Sequence, residues 1–120
     1  MAVVFYESLL PGSQLANKLT DLGYRVKTIQ VASSVVEIVR QEKPIVLIAD
    51  LALRHGDFCG VITELKRDPN TEHVPVLGFT NPKNQKLVDA AVAAGAKLVA
   101  GDAGILEQLP QLLDHVLAIE

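Results

Sequence analysis

The chain is poor in several residue types, and each shortage excludes a class of function. Cys59 is the single cysteine among 120 residues, which excludes an internal disulfide and any zinc site built from several cysteines. There is no tryptophan and aromatic residues make up only 4%, so few side chains could stack on a flavin or on nucleic-acid bases. The net charge is −3 and no block of lysine or arginine stands out, which argues against nucleic-acid binding.

Long hydrophobic runs are missing too, although 49% of the residues are hydrophobic. No apolar stretch approaches the length of a membrane span, and no basic segment leads into a signal-peptide core. The composition therefore predicts a cytoplasmic protein with one domain over residues 1–120 and no contact with membrane or nucleic acid.

What the chain does contain is a regular alternation of strand-like and helix-like segments. The predicted strands are Ala2–Tyr6, Tyr24–Ile29, Pro44–Ala49, Val74–Phe79 and Lys97–Ala100. Short apolar runs of this kind are typical of parallel strands that helices cover on both faces. Five β–α units in sequence predict a flavodoxin-like three-layer α/β/α sandwich. Its five-stranded parallel sheet has the order 2-1-3-4-5, with five helices.

The helix ends carry recognisable signals. Gly23 follows the helical pattern of Leu9–Leu22, and Gly95 follows that of Gln85–Ala94. Glycine is favoured directly after a helix because the chain often adopts a left-handed backbone conformation there. Ser34 with a glutamate three residues later predicts a capping box. Asp57 is a candidate cap for the third helix, which Asp68-Pro69 is predicted to end. The last helix is predicted over Leu106–Ile119, where leucines and valines recur at helical spacing.

Two polar residues end the central apolar runs. Asp50 follows Pro44–Ala49, and Thr80 follows Val74–Phe79. In parallel α/β sheets, ligands collect outside the carboxyl ends of the strands. A carboxylate and a hydroxyl that meet there are suited to handling a phosphate group.

These segments resemble the receiver domains of two-component response regulators, over nearly the whole chain. The resemblance is carried by Pro44–Leu51, by Leu65–Thr71 with the following Val74-Pro75-Val76 and Thr80, and by Ala93–Ala96. It implies that Asp50 stands at the phospho-acceptor position and Thr80 at the switch hydroxyl position. It also implies Mg²⁺ on two or three carboxylates, a lysine that grips the phosphoryl group, and an aromatic switch residue on the fifth strand.

The sequence departs from that pattern at several positions. Only Glu7 is acidic where the first strand should end in an acidic pair, and Asp102 occupies the lysine position. Val99 replaces the switch aromatic, and Arg54 replaces the proline usually found four residues after the acceptor. At a few ångströms, a like charge in place of the lysine costs on the order of 1–4 kcal/mol. The pattern therefore indicates an atypical receiver, or pseudo-receiver, in which Mg²⁺ binding is weak.

Three interpretations of the acidic residues stay open. Asp50 could be a retained acid that caps the adjacent loop, or a genuine phospho-acceptor in a phosphorelay. Glu7, Asp50 and Asp102 could instead form a divalent-cation site without phosphoryl chemistry, because mutually repelling carboxylates either take a cation or raise one another's pKa.

No catalytic residue and no organic cofactor is predicted. The loop after the first strand is too apolar for flavin phosphate, and the cobalamin-binding Asp-x-His-x-x-Gly motif is absent. We therefore expect a stand-alone, non-enzymatic signalling protein. In receivers, the fourth helix, fifth strand and fifth helix carry dimerisation and partner docking. The resemblance thus implies that a kinase or a downstream effector, or a second copy of the chain, docks on the 85–119 face.

Overall fold

A parallel sheet forms the centre of the computed structural model, which describes residues 1–7, 9–53, 56–102 and 104–117. The strands are β1 (Ala2–Phe5), β2 (Val26–Ile29), β3 (Val46–Asp50), β4 (Ala52–Leu53), β5 (Gly56–Asp57), β6 (Val76–Thr80) and β7 (Leu98–Gly101). Five of them form the parallel sheet in the order β2-β1-β3-β6-β7, while β4 and β5 pair as a separate antiparallel hairpin. With β4 and β5 set aside, this is the predicted 2-1-3-4-5 topology.

Helices cover both faces of the sheet. They are α1 (Leu9–Asp21), α2 (Val35–Glu42), α3 (Cys59–Arg67), α4 (Gln85–Ala94) and α5 (Ile105–Val116), with a 3-10 turn at Ala32–Ser34 before α2. One hydrophobic cluster joins the sheet to α2, α3 and α4, and a second joins its other face to α1 and α5. The predicted three-layer α/β/α sandwich with five helices is confirmed.

The central strand β3 shows why continuous apolar runs suit this architecture. Val46 and Ile48 point into the α1/α5 cluster, whereas Leu47 and Ala49 point into the opposite cluster. All four side chains are fully buried. Because successive residues of a strand face opposite sides, a strand covered on both sides must be apolar at every position.

Three of the predicted helix ends are confirmed. Gly23 and Gly95 adopt positive φ angles of 95° and 124°, and the amide of Gly95 donates to the carbonyls of Ala91 and Val92. Glycine tolerates this conformation because it has no Cβ. The third helix ends at Arg67, before Asp68 and Pro69, as the proline predicts.

Two predicted caps are wrong. The Ser34 hydroxyl donates back to the carbonyl of Val31 at 3.2 Å and makes no capping bond to α2. A preceding 3-10 turn holds Ser34 near helical φ and ψ angles, which prevents the extended cap geometry. Phe58, and not Asp57, stands before α3, because Asp57 pairs with Ala52 in the hairpin.

The ends of α5 differ from the prediction by a few residues. The helix begins at Ile105 and ends at Val116, and residues 118–120 lie outside the described part of the chain. The predicted stripe faces the sheet, since Leu109, Leu113 and Val116 are buried. None of the helices within the described ranges is long and apolar enough to cross a membrane.

Candidate functional site at the carboxyl edge of the sheet

Four of the predicted site residues gather at the carboxyl edge of the sheet. Asp50 is the last residue of β3 and pairs with Phe79 of β6, directly before Thr80. Thr80 pairs with Gly101 of β7, and the next residue, Asp102, donates its amide to the Thr80 carbonyl at 3.0 Å. Glu7 follows β1 by two residues. The parallel topology therefore brings together residues that are separated by up to 95 positions in the sequence.

The Asp50 carboxylate is engaged by its own loop. One of its oxygens accepts a hydrogen bond from the amide of Ala52 at 3.1 Å. A carboxylate that binds the amide two residues on stabilises a tight turn. This is the loop-capping role that the sequence left open for Asp50, and it uses one of the oxygens that a phosphoryl group or a cation would need.

The electrostatic surroundings of Asp50 are unfavourable for negative charge. Partial burial raises the pKa of Asp50 above its ordinary value, the hydrogen bond from Ala52 lowers it, and the nearby carboxylates of Glu7 and Asp102 raise it further. The net direction is upward. No lysine or arginine of the described residues is among the groups that shift the pKa of Asp50.

The three carboxylates do not form a metal centre in this structure. Within the described ranges, no group of three or more His, Cys, Asp or Glu side chains is arranged to hold a metal ion. Glu7 and Asp102 each lie close enough to Asp50 to raise its pKa, but the three carboxylates are not grouped as ligands of one ion. No step of the proposed function passes through a bound metal.

The two switch positions lie on β6 and β7. Thr80 is 3% exposed at the end of β6, and Val99 pairs with Gly78, two register steps inside the sheet from the Thr80–Gly101 pair. Val99 is half-buried and packs against the α2/α3/α4 cluster. An aliphatic side chain of this size already contacts the core, so it lacks the reach of an aromatic residue that would swing between a buried and an exposed position.

The loop that follows Asp50 is anchored by two buried side chains that the sequence analysis did not single out. Leu51 is fully buried and lies over Gly78, where an added Cβ would stand 2.8 Å from Leu51 Cδ2. Phe58 is fully buried and stacks on Phe5, with 4.9 Å between ring centroids. The amide of Phe58 donates to the carbonyl of Leu51 at 3.0 Å and closes the loop. The position of Asp50 therefore depends on packing beneath the loop.

The predicted docking face is formed by α4, β7 and α5. Strand β7 is an edge strand, and its four residues are all partly exposed. On α4, Ala90 and Ala93 are exposed and Val92 is 56% exposed, whereas Ala91 is buried against the sheet. The described part of the 85–119 face thus ends at Leu117 and presents small and apolar side chains to solvent.

Solved structures that share this fold include receiver domains and a chemotaxis protein. The receiver domain of NtrX from Brucella abortus superimposes with a TM-score of 0.87 at 18% identity and covers 98% of each chain. The receiver domain of a sensor histidine kinase from Pseudomonas aeruginosa, which has magnesium in its active-site cleft, gives 0.84 at 18% identity, over 97% of this chain and 96% of that one. Chemotaxis protein CheY4 of Vibrio cholerae gives 0.82 at 18% identity, over 97% of each chain.

Sequence comparison is less informative. No protein-family model matches the chain. A probable cyclic di-GMP phosphodiesterase of Vibrio cholerae is 30% identical over 67 residues, which is 53% of this chain but only 15% of that protein. The chain therefore spans about a seventh of that curated relative. The structural similarity shows that this chain has the fold of the receiver domains of response regulators.

Proposed function

We propose that the protein is a receiver-like module of two-component or phosphorelay signalling that acts through protein–protein contact, with little or no phosphorylation of Asp50. The observation that carries this proposal is the charge at the carboxyl edge. Glu7 and Asp102 both raise the pKa of Asp50, and no cation among the described residues lowers it. The receiver fold of the structural neighbours supports the signalling class.

Phosphoryl transfer requires the opposite electrostatics. The transferred group carries negative charge on three oxygens, and catalysis consists mainly of positioning it and neutralising that charge. Here Asp102 stands at the lysine position beside Thr80 and raises the pKa of Asp50. Replacing an attraction by a repulsion shifts the interaction by on the order of 1–4 kcal/mol per charge pair at surface-like screening. The ordinary phosphorylation reaction is correspondingly slow.

We expect Mg²⁺ to bind weakly at this edge. The Pseudomonas receiver domain has this ion in its active-site cleft. Here, one Asp50 oxygen already accepts a hydrogen bond from the amide of Ala52, and Glu7 is the single acidic residue directly after β1. Because Mg²⁺ demands near-ideal octahedral geometry and binds through few carboxylates, misplaced donors lower its affinity.

The decisive experiment is an amide NMR spectrum recorded with Mg²⁺ and beryllofluoride, and in parallel with acetyl phosphate. We expect no saturable shifts around Asp50 and Thr80 in the natural chain. Asp102→Lys is the matched gain-of-function variant, because it restores the cation without altering Asp50. Shifts centred on Asp50 in the natural chain, and absent from Asp50→Asn, would refute the pseudo-receiver proposal and establish the alternative, a genuine phospho-acceptor.

The α4–β7–α5 face is the proposed contact surface for a kinase, a downstream effector or a second copy of the chain. Its exposed Ala90, Val92 and Ala93 let another chain approach closely. Ala93→Arg should abolish concentration-dependent association or partner capture, because it adds a long charged side chain to that surface. Asn17→Arg, at an exposed position of α1, is the matched control. If both variants have the same sedimentation coefficient as the natural chain at every concentration, homodimerisation through this face is excluded.

A further inference from the structure

The amino edge of the sheet, opposite Asp50, contains a cavity that the signalling proposal does not use. It has a volume of about 310 Å³ and lies where β3, β6 and β7 begin. Residues that directly precede these strands line it, namely Ile45, Pro75 and Lys97. Lys66, near the end of α3, and Leu117, directly after α5, also line it, and the cavity is open to solvent.

Two lysines line this cavity, and neither forms a salt bridge with an acidic side chain of the described residues. Lys66 is half-buried, and its ammonium donates to the carbonyls of Glu72 at 3.1 Å and Val74 at 3.0 Å. An ammonium group has three N–H donors, so one of them is left. In the part of the chain that the structure describes, the salt bridges involve Lys27 and Arg40, and neither Lys66 nor Lys97 takes part in one.

The two ammonium groups lie within reach of each other's charge. Burial lowers the pKa of Lys66, the exposed carboxylate of Glu72 raises it, and Lys97 lowers it. His73, which is exposed, lines the same cavity. A pair of like charges beside one another is stabilised when an anion is placed between them, and partial burial strengthens that interaction relative to open water.

The remaining walls are apolar. Ile45 is 42% exposed, which makes it one of four large hydrophobic residues with substantial exposure among those described. Pro75 and Leu117 complete this side of the cavity. Exposed apolar surface beside two ammonium groups that form no salt bridge within the described residues matches a ligand with an anionic head and an apolar stem. A few convergent polar groups in an apolar pocket fix the orientation of such a ligand.

We infer that this amino-edge cavity binds an organic carboxylate on an apolar stem, with Lys66 and Lys97 holding the carboxylate and Ile45, Pro75 and Leu117 contacting the stem. The carboxylate could belong to a small free acid or to an acidic residue flanked by leucines in a peptide. A bare inorganic anion would leave the apolar walls unused. The site is independent of Asp50 and of the proposed signalling function.

The test is an amide NMR titration of the full chain with hexanoate, and with hexanamide and acetate as matched probes. Hexanoate should give saturable shifts at Lys66, His73 and Lys97, whereas hexanamide lacks the charge and acetate lacks the stem, so both should bind more weakly. Lys97→Gln should weaken hexanoate binding by about 1.5-fold to fivefold, the range for one exposed ion pair. Lys83→Gln, which removes an exposed lysine between β6 and α4, is the control.

Several results would overturn the inference. Equal affinity for hexanoate and hexanamide, no saturable shift, or unchanged hexanoate binding in Lys97→Gln would each do so. Lys97 is exposed, so this variant should fold even if a change at Lys66 disrupts the turn that it bridges. Peptides with blocked termini that contain Leu-Leu-Glu distinguish a peptide ligand from a small free acid. Tighter binding of such a peptide than of hexanoate identifies a peptide ligand, and weaker binding identifies a small acid.

Discussion

Gly78→Ala tests whether close packing beneath the Asp50 loop fixes the candidate site. Gly78 lies in β6, between β3 and β7. An ideal Cβ there would stand 2.8 Å from Leu51 Cδ2 and 2.9 Å from both Cδ1 and Cγ. Distances below 3 Å are far inside van der Waals contact, since carbon atoms pack best at about 3.5–4.0 Å. Leu51 is fully buried, so it cannot turn away into solvent.

The magnitude follows from two opposing effects. Overpacking a well-packed core costs about 1–3 kcal/mol. Replacing glycine by alanine inside a strand recovers about 0.5–1 kcal/mol of backbone entropy. We therefore expect a net loss of about 1–2 kcal/mol, which lowers Tm by roughly 3–10 °C for a domain of this size.

Urea denaturation measures the loss, and a double-mutant cycle assigns it. Leu51→Ala alone should destabilise by about 2–5 kcal/mol because it leaves a cavity. The double variant Leu51→Ala with Gly78→Ala should be more stable than the sum of the single effects predicts, since the added methyl enters the vacated space. Gly60→Ala is the matched control, because a Cβ at this helical position meets nothing within 4 Å. It should be neutral or stabilising by up to about 1 kcal/mol.

Two outcomes would refute this reasoning. Gly78→Ala could be as stable as the natural chain, or its effect could add to that of Leu51→Ala without coupling. Either result would mean that the loop after Asp50 is not held by this contact.

Three further predictions concern the carboxyl edge and one helix cap. Because its pKa is raised, Asp50 destabilises the fold once it is ionised, and this penalty develops as the pH rises from the ordinary pKa of 3.8 through the raised one. Asp50→Asn should therefore raise the free energy of unfolding at pH 7 by about 0.5–1 kcal/mol, a figure discounted for solvent screening. Near pH 3 it should leave the free energy of unfolding unchanged. Urea titrations at both pH values check this, with Glu64→Gln as a surface control, and a pH-independent gain would contradict it. Asp102→Lys should increase labelling by acetyl phosphate about tenfold or more, since it exchanges repulsion for attraction, and unchanged labelling in a mass-spectrometric assay would show that another defect limits the reaction. Asn84→Ala removes the side chain that accepts from the Leu87 amide at 3.4 Å and should lower stability by about 0.5–1 kcal/mol; an unchanged Tm would show that this long bond contributes nothing.

The topology and most of the elements were predictable because they depend on local patterns. Apolar runs such as Pro44–Ala49 predict strands that are buried on both faces. Glycines such as Gly95 predict a positive φ angle, which other residues rarely adopt. The predicted helix Gln85–Ala94 matches α4 at both ends. The wrong caps, at Ser34 and Asp57, failed because each residue was already engaged in another local structure that competed with the cap.

The sequence by itself determined the strand order, the placement of Asp50 and Thr80 at one edge, and the presence of Asp102 at the end of β7, since all of these follow from the alternation of β and α segments. Only the tertiary structure decided how those residues interact. The upward pKa shift of Asp50, the fit of Leu51 over Gly78, and the meeting of Lys66 and Lys97 at the amino edge all depend on distances between strands and helices far apart in the chain. Such distances are set by packing, which residue periodicity does not encode.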